Sequence, residues 1–220
     1  TIEEPVEYHL EGITQIQANP DIGLSFSEGL RSVLRQSPDV IMVGEIRDAE
    51  TADIAIKASL TGEVILSTLH TNSAVGAITR LRDMGTEPFL LASSLVALTA
   101  QRLIRKLCSK CKEKYIMDKQ VLDRLGVTDF CKKHTDKLEF YRAKGCPACS
   151  NIGYKGRVAI LEIILVDDKI KEMIIEKVPE EEIVKYAKKN RGYNSLMEDG
   201  LLKCIKGTTS FEEIIRVTSE

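Results

Sequence analysis

No stretch of the form Gly-x-x-x-x-Gly-Lys-[Ser/Thr] occurs anywhere in the 220 residues. The backbone N–H groups and lysine of such a loop cradle the β- and γ-phosphates of a nucleotide, so a self-sufficient P-loop site is excluded. Long apolar runs are missing too. None approaches the roughly 18 residues that mark a membrane-spanning helix, and no signal peptide precedes the first elements. Tryptophan is absent and aromatic residues make up only 5% of the chain. The chain opens on Thr1 rather than methionine. These features lead us to expect a piece of a longer protein, cytosolic or peripheral to a membrane.

What is present describes a folded protein. Hydrophobic residues reach 43% and charged residues 29%, the proportions of an ordinary globular domain, and the length permits a sizeable core. The net charge of −2 conceals a division along the chain. Residues 1–101 carry 6 basic and 14 acidic side chains, residues 102–157 carry 15 and 6, and residues 158–220 carry 10 and 13. A segment of balance +9 thus lies between two acidic flanks, and such a segment favours acidic partners. Three sections are expected: 1–101, 102–157 and 158–220.

The first section reads as α/β. Val40, Ile41, Met42 and Val43 form an unbroken apolar run between Pro38-Asp39 and Gly44, which suits a strand buried on both faces. Glu45, Arg47 and Asp48 follow it. The pattern then repeats, with a helix from Ala49 to Leu60, a strand from Val64 to Leu69, and His70 beyond. Open α/β sheets hold their ligands at the carboxyl ends of strands, so this edge has the character of a nucleotide-phosphate site. Ile13 to Gln17 alternates like a half-exposed strand, and Asn19-Pro20-Asp21 with Gly23 forms a turn. Ser25 or Ser27 caps a helix running to about Gln36, with Arg31 and Arg35 on one face. Helices are also expected over Ser73–Met84 and from Pro88 to about Thr99.

The middle section is marked by Cys108-Ser-Lys-Cys111 and Cys146-Pro-Ala-Cys149, two Cys-x-x-Cys pairs with 34 residues between them. Four thiolates at this spacing can wrap a tetrahedral Zn²⁺. Disulfides are the alternative, disfavoured in the cytosol, and a redox dithiol would need only one pair. His134 is a substitute ligand to consider, while Cys131 and Cys204 read as ordinary packed or exposed thiols. Residues 158–166 read as a returning strand, followed by helices over Asp168–Lys177, Pro179–Lys189 and Ser195–Lys206. Ser210-Phe-Glu-Glu213 reads as a capping box opening a last helix.

Several words in this order resemble a known family. Asp-Val-Ile-Met-Val-Gly-Glu-Ile-Arg-Asp, Ser-Leu-Thr-Gly and Ser-Thr-Leu-His-Thr-Asn are similar to the Walker B and His boxes of the motor ATPases of type II secretion and type IV pilus assembly. Thr1-Ile-Glu-Glu-Pro-Val-Glu-Tyr8 resembles their Asp box, with Glu3-Glu4-Pro5 where the family has Glu-Asp-Pro. The resemblance, of the pilus-extension type because of the four cysteines, runs from residue 1 to nearly 220. It implies a C-terminal portion, truncated after the P-loop unit, of a hexameric ATPase. The implied fold is a partial RecA-like P-loop NTPase core, a mostly parallel sheet with helices, carrying an inserted zinc module and a C-terminal helical region. It further implies Mg²⁺ and ATP as cofactors of the intact parent, a structural Zn²⁺, and an inner-membrane platform protein as partner.

By the same resemblance Glu45 is the Walker B acid, Glu3 the general base and His70 a γ-phosphate sensor. Arg31, Arg35, Arg47 and Arg80 are arginines for charge stabilisation or subunit coupling, and Cys108, Cys111, Cys146 and Cys149 are the metal ligands. Thr61-Gly62 is followed by Glu63 where the family often has a second histidine. The rival reading is a non-catalytic zinc module on an α/β scaffold, binding nucleic acid through its basic segment or serving in assembly. Nucleic acid is the weaker of these, because that segment offers few aromatics for stacking, among them Tyr115, Phe130, Phe140 and Tyr141.

Overall fold

The computed structural model describes residues 1–135 and 137–218. Residues 219 and 220, the end of the expected third section, lie outside the described residues. In chain order the first elements are β1 (Ile2–Glu3), β2 (Ile16–Gln17), α1 (Phe26–Leu34), β3 (Val40–Val43), α2 (Ala49–Thr61) and β4 (Val64–Ser67). Next come α3 (Gly76–Asp83), α4 (Pro88–Ser94), β5 (Ala97–Leu107), β6 (Glu113–Ile116), α5 (Lys119–Arg124), α6 (Thr128–His134) and β7 (Glu139–Arg142). The chain continues with β8 (Tyr154–Leu165), α7 (Asp168–Ile175), α8 (Glu180–Asn190), α9 (Leu196–Ile205) and α10 (Phe211–Thr218). It divides into two compact units, Thr1–Leu98 with Leu165–Tyr186, and Thr99–Ile164 with Ala187–Glu220. The tail expected as one section, 158–220, therefore contributes to both.

The first unit is built on a four-stranded parallel sheet of order β2-β1-β3-β4. Val40 to Val43 pair in register with Val64 to Ser67. Local chemistry starts the helices. The Ser25 side chain accepts from the Glu28 N–H at 3.2 Å to cap α1, and the Asp48 side chain accepts from the Thr51 N–H at 2.8 Å to cap α2. Gly44 allows β1 and β3 to meet: its N–H donates to the Ile2 carbonyl at 2.8 Å, and a Cβ there would lie 3.1 Å from that oxygen. Pro88 opens α4, which packs on α2, α3 and α7.

Two expectations for this unit are corrected. The run from Val40 to Val43 is not buried on both faces. Ile41 and Val43 are buried, but Val40 is 58% exposed, and Val64 and Leu66 beside it are exposed as well. Helices α1 and α2 pack on each other and on the buried side. The other side opens onto a cavity of about 900 Å³, lined by Glu3, Ile13, Ile16, Val40, Met42 and Leu66. The helix expected from Pro88 to Thr99 stops at Ser94, and Ala97 already belongs to an 11-residue strand. Pairing with β8 overrides the helical propensity of the leucines and alanines there.

The second unit holds two two-stranded sheets, β5 with β8 and the antiparallel pair β6 with β7. Helix α9 packs on α6, β7 and α10, capped at Ser195 by a capping box with Glu198. Ser210 caps α10, accepting from the Glu213 N–H at 3.3 Å, but among the described residues the Glu213 side chain does not return to the Ser210 N–H. The Glu213 carboxylate, fully buried, turns instead to Arg105 and Arg216, with Nη2 donors at 2.6 and 2.7 Å. The Arg105 guanidinium lies 4.2 Å from the centre of the Tyr154 ring. Burial opposes ionisation of Glu213, yet the two arginines outweigh it and hold the carboxyl at about 2.

Candidate functional site

The parallel strands of the first unit place their carboxyl ends side by side. Beyond β3, the Ile46 N–H donates to the Thr68 carbonyl at 3.0 Å and the Thr68 hydroxyl to the Gly44 carbonyl at 2.7 Å. These bonds keep the β3 and β4 tips together after the strands end. There the side chains converge: one Glu45 oxygen lies 2.9 Å from His70 Nε2, and the other accepts from Arg47 Nη2 at 2.6 Å. Arg47 Nη1 donates in turn to Glu4, which follows β1, at 3.0 Å. Four charged or ionisable groups from three strand tips thus form one chain. The Arg47 guanidinium, joined by His70, holds the Glu45 carboxyl below the usual carboxylate range. The Glu45 carboxylate in turn raises Arg47.

Of the expected residues, Glu45, Arg47 and His70 meet, and Asp48 is spent as the cap of α2. Glu3 stands apart from them. It accepts from the Thr1 hydroxyl at 2.5 Å and from Gln15 Nε2 at 3.0 Å, which together lower its pKa, and it lines the open cavity. Its neighbour Glu4 is the carboxylate that joins the cluster, a residue that sequence reasoning passed over. The only signal for it was the departure Glu3-Glu4-Pro5 itself.

Arg31 donates to Glu50 at 2.7 Å across the α1–α2 groove. Arg35 follows α1 and precedes β3, so it lies at the amino end of the sheet, opposite Glu45; with Arg31 and Lys57 it lines an open pocket of about 460 Å³. Arg80 is exposed on α3. Among the described residues no ion pair engages Arg35 or Arg80. Glu63, at the position of the family histidine, accepts from the Thr61 hydroxyl at 2.8 Å.

The second unit gathers the four expected cysteines. Their Sγ atoms all lie within 4.8 Å of one another: Cys108 to Cys146 is 4.0 Å, Cys111 to Cys149 is 3.8 Å, and Cys146 to Cys149 is 3.8 Å. A tetrahedron of thiolates at about 2.3 Å from a metal has edges of about 3.8 Å, so this donor set fits Zn²⁺. All six cysteines are free. Each pair turns tightly, with Cys111 N–H to the Cys108 carbonyl at 3.2 Å and Cys149 N–H to the Cys146 carbonyl at 3.1 Å. Burial works against the Cys149 thiolate, but N–H donors of Cys146 and Gly153 at 3.3 and 3.2 Å outweigh it and hold the thiol at about 7. Burial pushes Cys111 up to about 11. The group could hold a metal ion. His134 packs against Phe130 with ring centres 4.8 Å apart and planes tilted by 52° and is not among the gathered ligands, while Cys131 and Cys204 are fully buried.

Comparison with known proteins puts these geometries in context. The family model of type II/IV secretion system proteins matches residues 1–216. The chain is 51% identical over 220 residues to the type II secretion system ATPase E of Vibrio cholerae, spanning 42% of that protein. It is 46% identical to the type IV pilus assembly ATPase PilB of Thermus thermophilus, spanning 24% of it. The chain therefore spans less than half the length of these relatives. Among solved structures, the pilus retraction motor PilT with bound ADP superposes with a TM-score of 0.68 at 24% identity, over 100% of this chain and 52% of the other. The ATPase DotB of Legionella pneumophila gives 0.63 at 21% identity, over 99% and 50%. The fold is that of these α/β ATPases, and the chain belongs to the type II/IV secretion system protein family.

Proposed function

We propose that the chain is part of a motor ATPase that couples ATP hydrolysis to protein secretion or type IV pilus assembly. The observation that carries this reading is the meeting of Glu45, Arg47 and His70 at the carboxyl ends of parallel strands, in a chain of this family. Phosphoryl transfer asks for a carboxylate beside Mg²⁺, a base or orienting group for water, and positive charge on the transferring group. Glu45 supplies the metal-side carboxylate and His70 faces the γ-phosphate. Glu3 and Glu4 are the Asp-box carboxylates available to the attacking water. Arg31, Arg35 and Arg80, all exposed, are suited to a neighbouring subunit's nucleotide in a hexameric ring. The chain by itself carries no P-loop sequence, and its own turnover is negligible.

The four-cysteine centre is a structural Zn²⁺ site, since four protein thiolates leave no open coordination position. The basic segment around it, 102–157, faces an acidic surface of the inner-membrane platform protein, with the motor cytoplasmic and peripheral. No helix among the described residues is long and apolar enough to cross a membrane, which is compatible with that placement. The test is Glu45→Gln in the longer parent protein. Steady-state phosphate release should fall by at least about a hundredfold, with nucleotide still bound. Undiminished release would remove the nucleotide reading of this site.

A further inference from the structure

Arg47 is the one cation wedged between the carboxylates of two strand tips, and its two terminal nitrogens divide between them. Nη2 lies 2.6 Å from Glu45 and Nη1 lies 3.0 Å from Glu4. Glu45 has no oxygen left unengaged, because its other one meets His70 at 2.9 Å. Its side chain is only 17% exposed, so both bonds are held at the less solvated end of the cluster. Glu4, whose side chain is 29% exposed, has only the single Arg47 ion pair among the described contacts. The guanidinium itself is half exposed, with its Cζ 6.0 Å from the centre of the Phe26 ring.

We infer that Arg47 is a positioning residue that acts as a clamp on Glu45, competing with a divalent cation for that carboxylate and withdrawing to Glu4 when the cation arrives. A carboxylate paired to a guanidinium at this distance has little field left for a second cation. The asymmetry makes the clamp reversible. When Glu45 turns to a metal ion, Arg47 keeps a partner in Glu4 and does not have to leave the site or be buried unpaired. The same bond ties the Asp-box tip to the Walker B tip, so occupation of Glu45 is sensed at β1. This inference rests on the reading of Glu45 as the metal-side acid. It assigns Arg47 a role through Glu45 rather than on the nucleotide, and it gives Glu4 a function of its own.

The test uses Mn²⁺ as probe, titrated into the chain and followed by the loss of its free-ion electron paramagnetic signal. Glu45→Gln should remove one class of bound Mn²⁺. Arg47→Gln should tighten that Glu45-dependent class by roughly three- to tenfold, because its competitor is gone. Glu4→Gln should weaken it by about two- to threefold, because Arg47 then has Glu45 as its only carboxylate. Opposite signs for the two variants are not what general loosening of the fold would give, and retained helix content by circular dichroism guards against unfolding. If Glu45→Gln leaves Mn²⁺ binding untouched, the metal-side reading of Glu45 falls and the clamp with it. If Glu45→Gln weakens binding but Arg47→Gln fails to strengthen it, the clamp alone is overturned.

Discussion

At the strand tips, Glu4, Glu45, Arg47 and His70 are drawn from three separate strands and stay in contact with solvent, His70 with 85% of its side chain exposed. The four cysteines come from two tight turns, and two of them, Cys108 and Cys149, are buried. The cysteine cluster carries its whole ligand set within one compact unit, each sulfur at tetrahedral-edge distance from others. The strand-tip cluster carries carboxylates, an arginine and an imidazole, but nothing in the sequence that cradles phosphates. Completeness is a matter of donors, not of charge: four thiolates at this spacing supply every ligand of a tetrahedral metal, whereas charged residues at a sheet edge lack the loop that cradles phosphates.

The largest effect is expected from disabling the four-cysteine centre. Cys146→Ser, or a strong chelator, should unfold the second unit, since structural zinc in small domains contributes about 10–16 kcal/mol. Metal analysis should find about one equivalent of zinc in the unaltered chain and little in the variant. Acid should act in the same direction, because protons compete for the thiolates, so zinc is lost as pH falls. The Glu45–His70 contact in the first unit should survive this loss, as read by the His70 ring resonances.

That contrast in completeness also governs what was legible in the sequence. The cysteine cluster needed only the spacing of two Cys-x-x-Cys words, because each word is a local turn. Helices α1, α2 and α9 were legible through their apolar spacing, and α1 also through a cap at Ser25 or Ser27, whereas the caps Asp48 and Ser195 emerged only in the fold. The tie from Glu4 to Arg47 was not, because it depends on β1 and β3 being adjacent across 43 positions of chain. Strand β5 was hidden as well. Its leucines and alanines continue the composition of α4, and only pairing with β8 decides the state. The open face of the first sheet was misread because four apolar residues in a row look alike whether one face is covered or both.

A second, smaller effect separates the units by pH. Glu213 is held at about 2, below its unfolded value near 4.5, so its stabilisation is fully present above about pH 4.5 and is lost as pH falls toward 2. Glu213→Gln should cost about 3 kcal/mol at neutral pH, at most, because the arginines it faces are half exposed. In urea unfolding, the gap between the unaltered chain and this variant should narrow by about half as the pH is lowered to 3 and close only toward pH 2. A constant gap would show that the buried carboxylate is not ionised.

Gly44→Ala probes the strand-tip region by backbone alone. The added Cβ would press on the Ile2 carbonyl at 3.1 Å, so a loss of about 1–3 kcal/mol is expected in the first unit, with the zinc content unchanged. Smaller again is Asp48→Ala, which removes the cap of α2 and should cost about 1 kcal/mol, measured by the same urea unfolding. A larger loss than for Gly44→Ala would mean that Asp48 does more than start a helix.

The measurement that bears most directly on the account is steady-state phosphate release by the zinc-loaded 220-residue chain with Mg²⁺ and ATP. A full set of metal donors in one unit and, in the other, a strand-tip cluster without a phosphate cradle predict a folded protein whose release stays at the level of the Glu45→Gln variant. Positioning of the phosphates is most of what a phosphoryl-transfer enzyme supplies, and the chain has no loop or lysine to do it. Turnover near about 1 per second, the range of ordinary enzymes, and abolished by Glu45→Gln, would contradict the account.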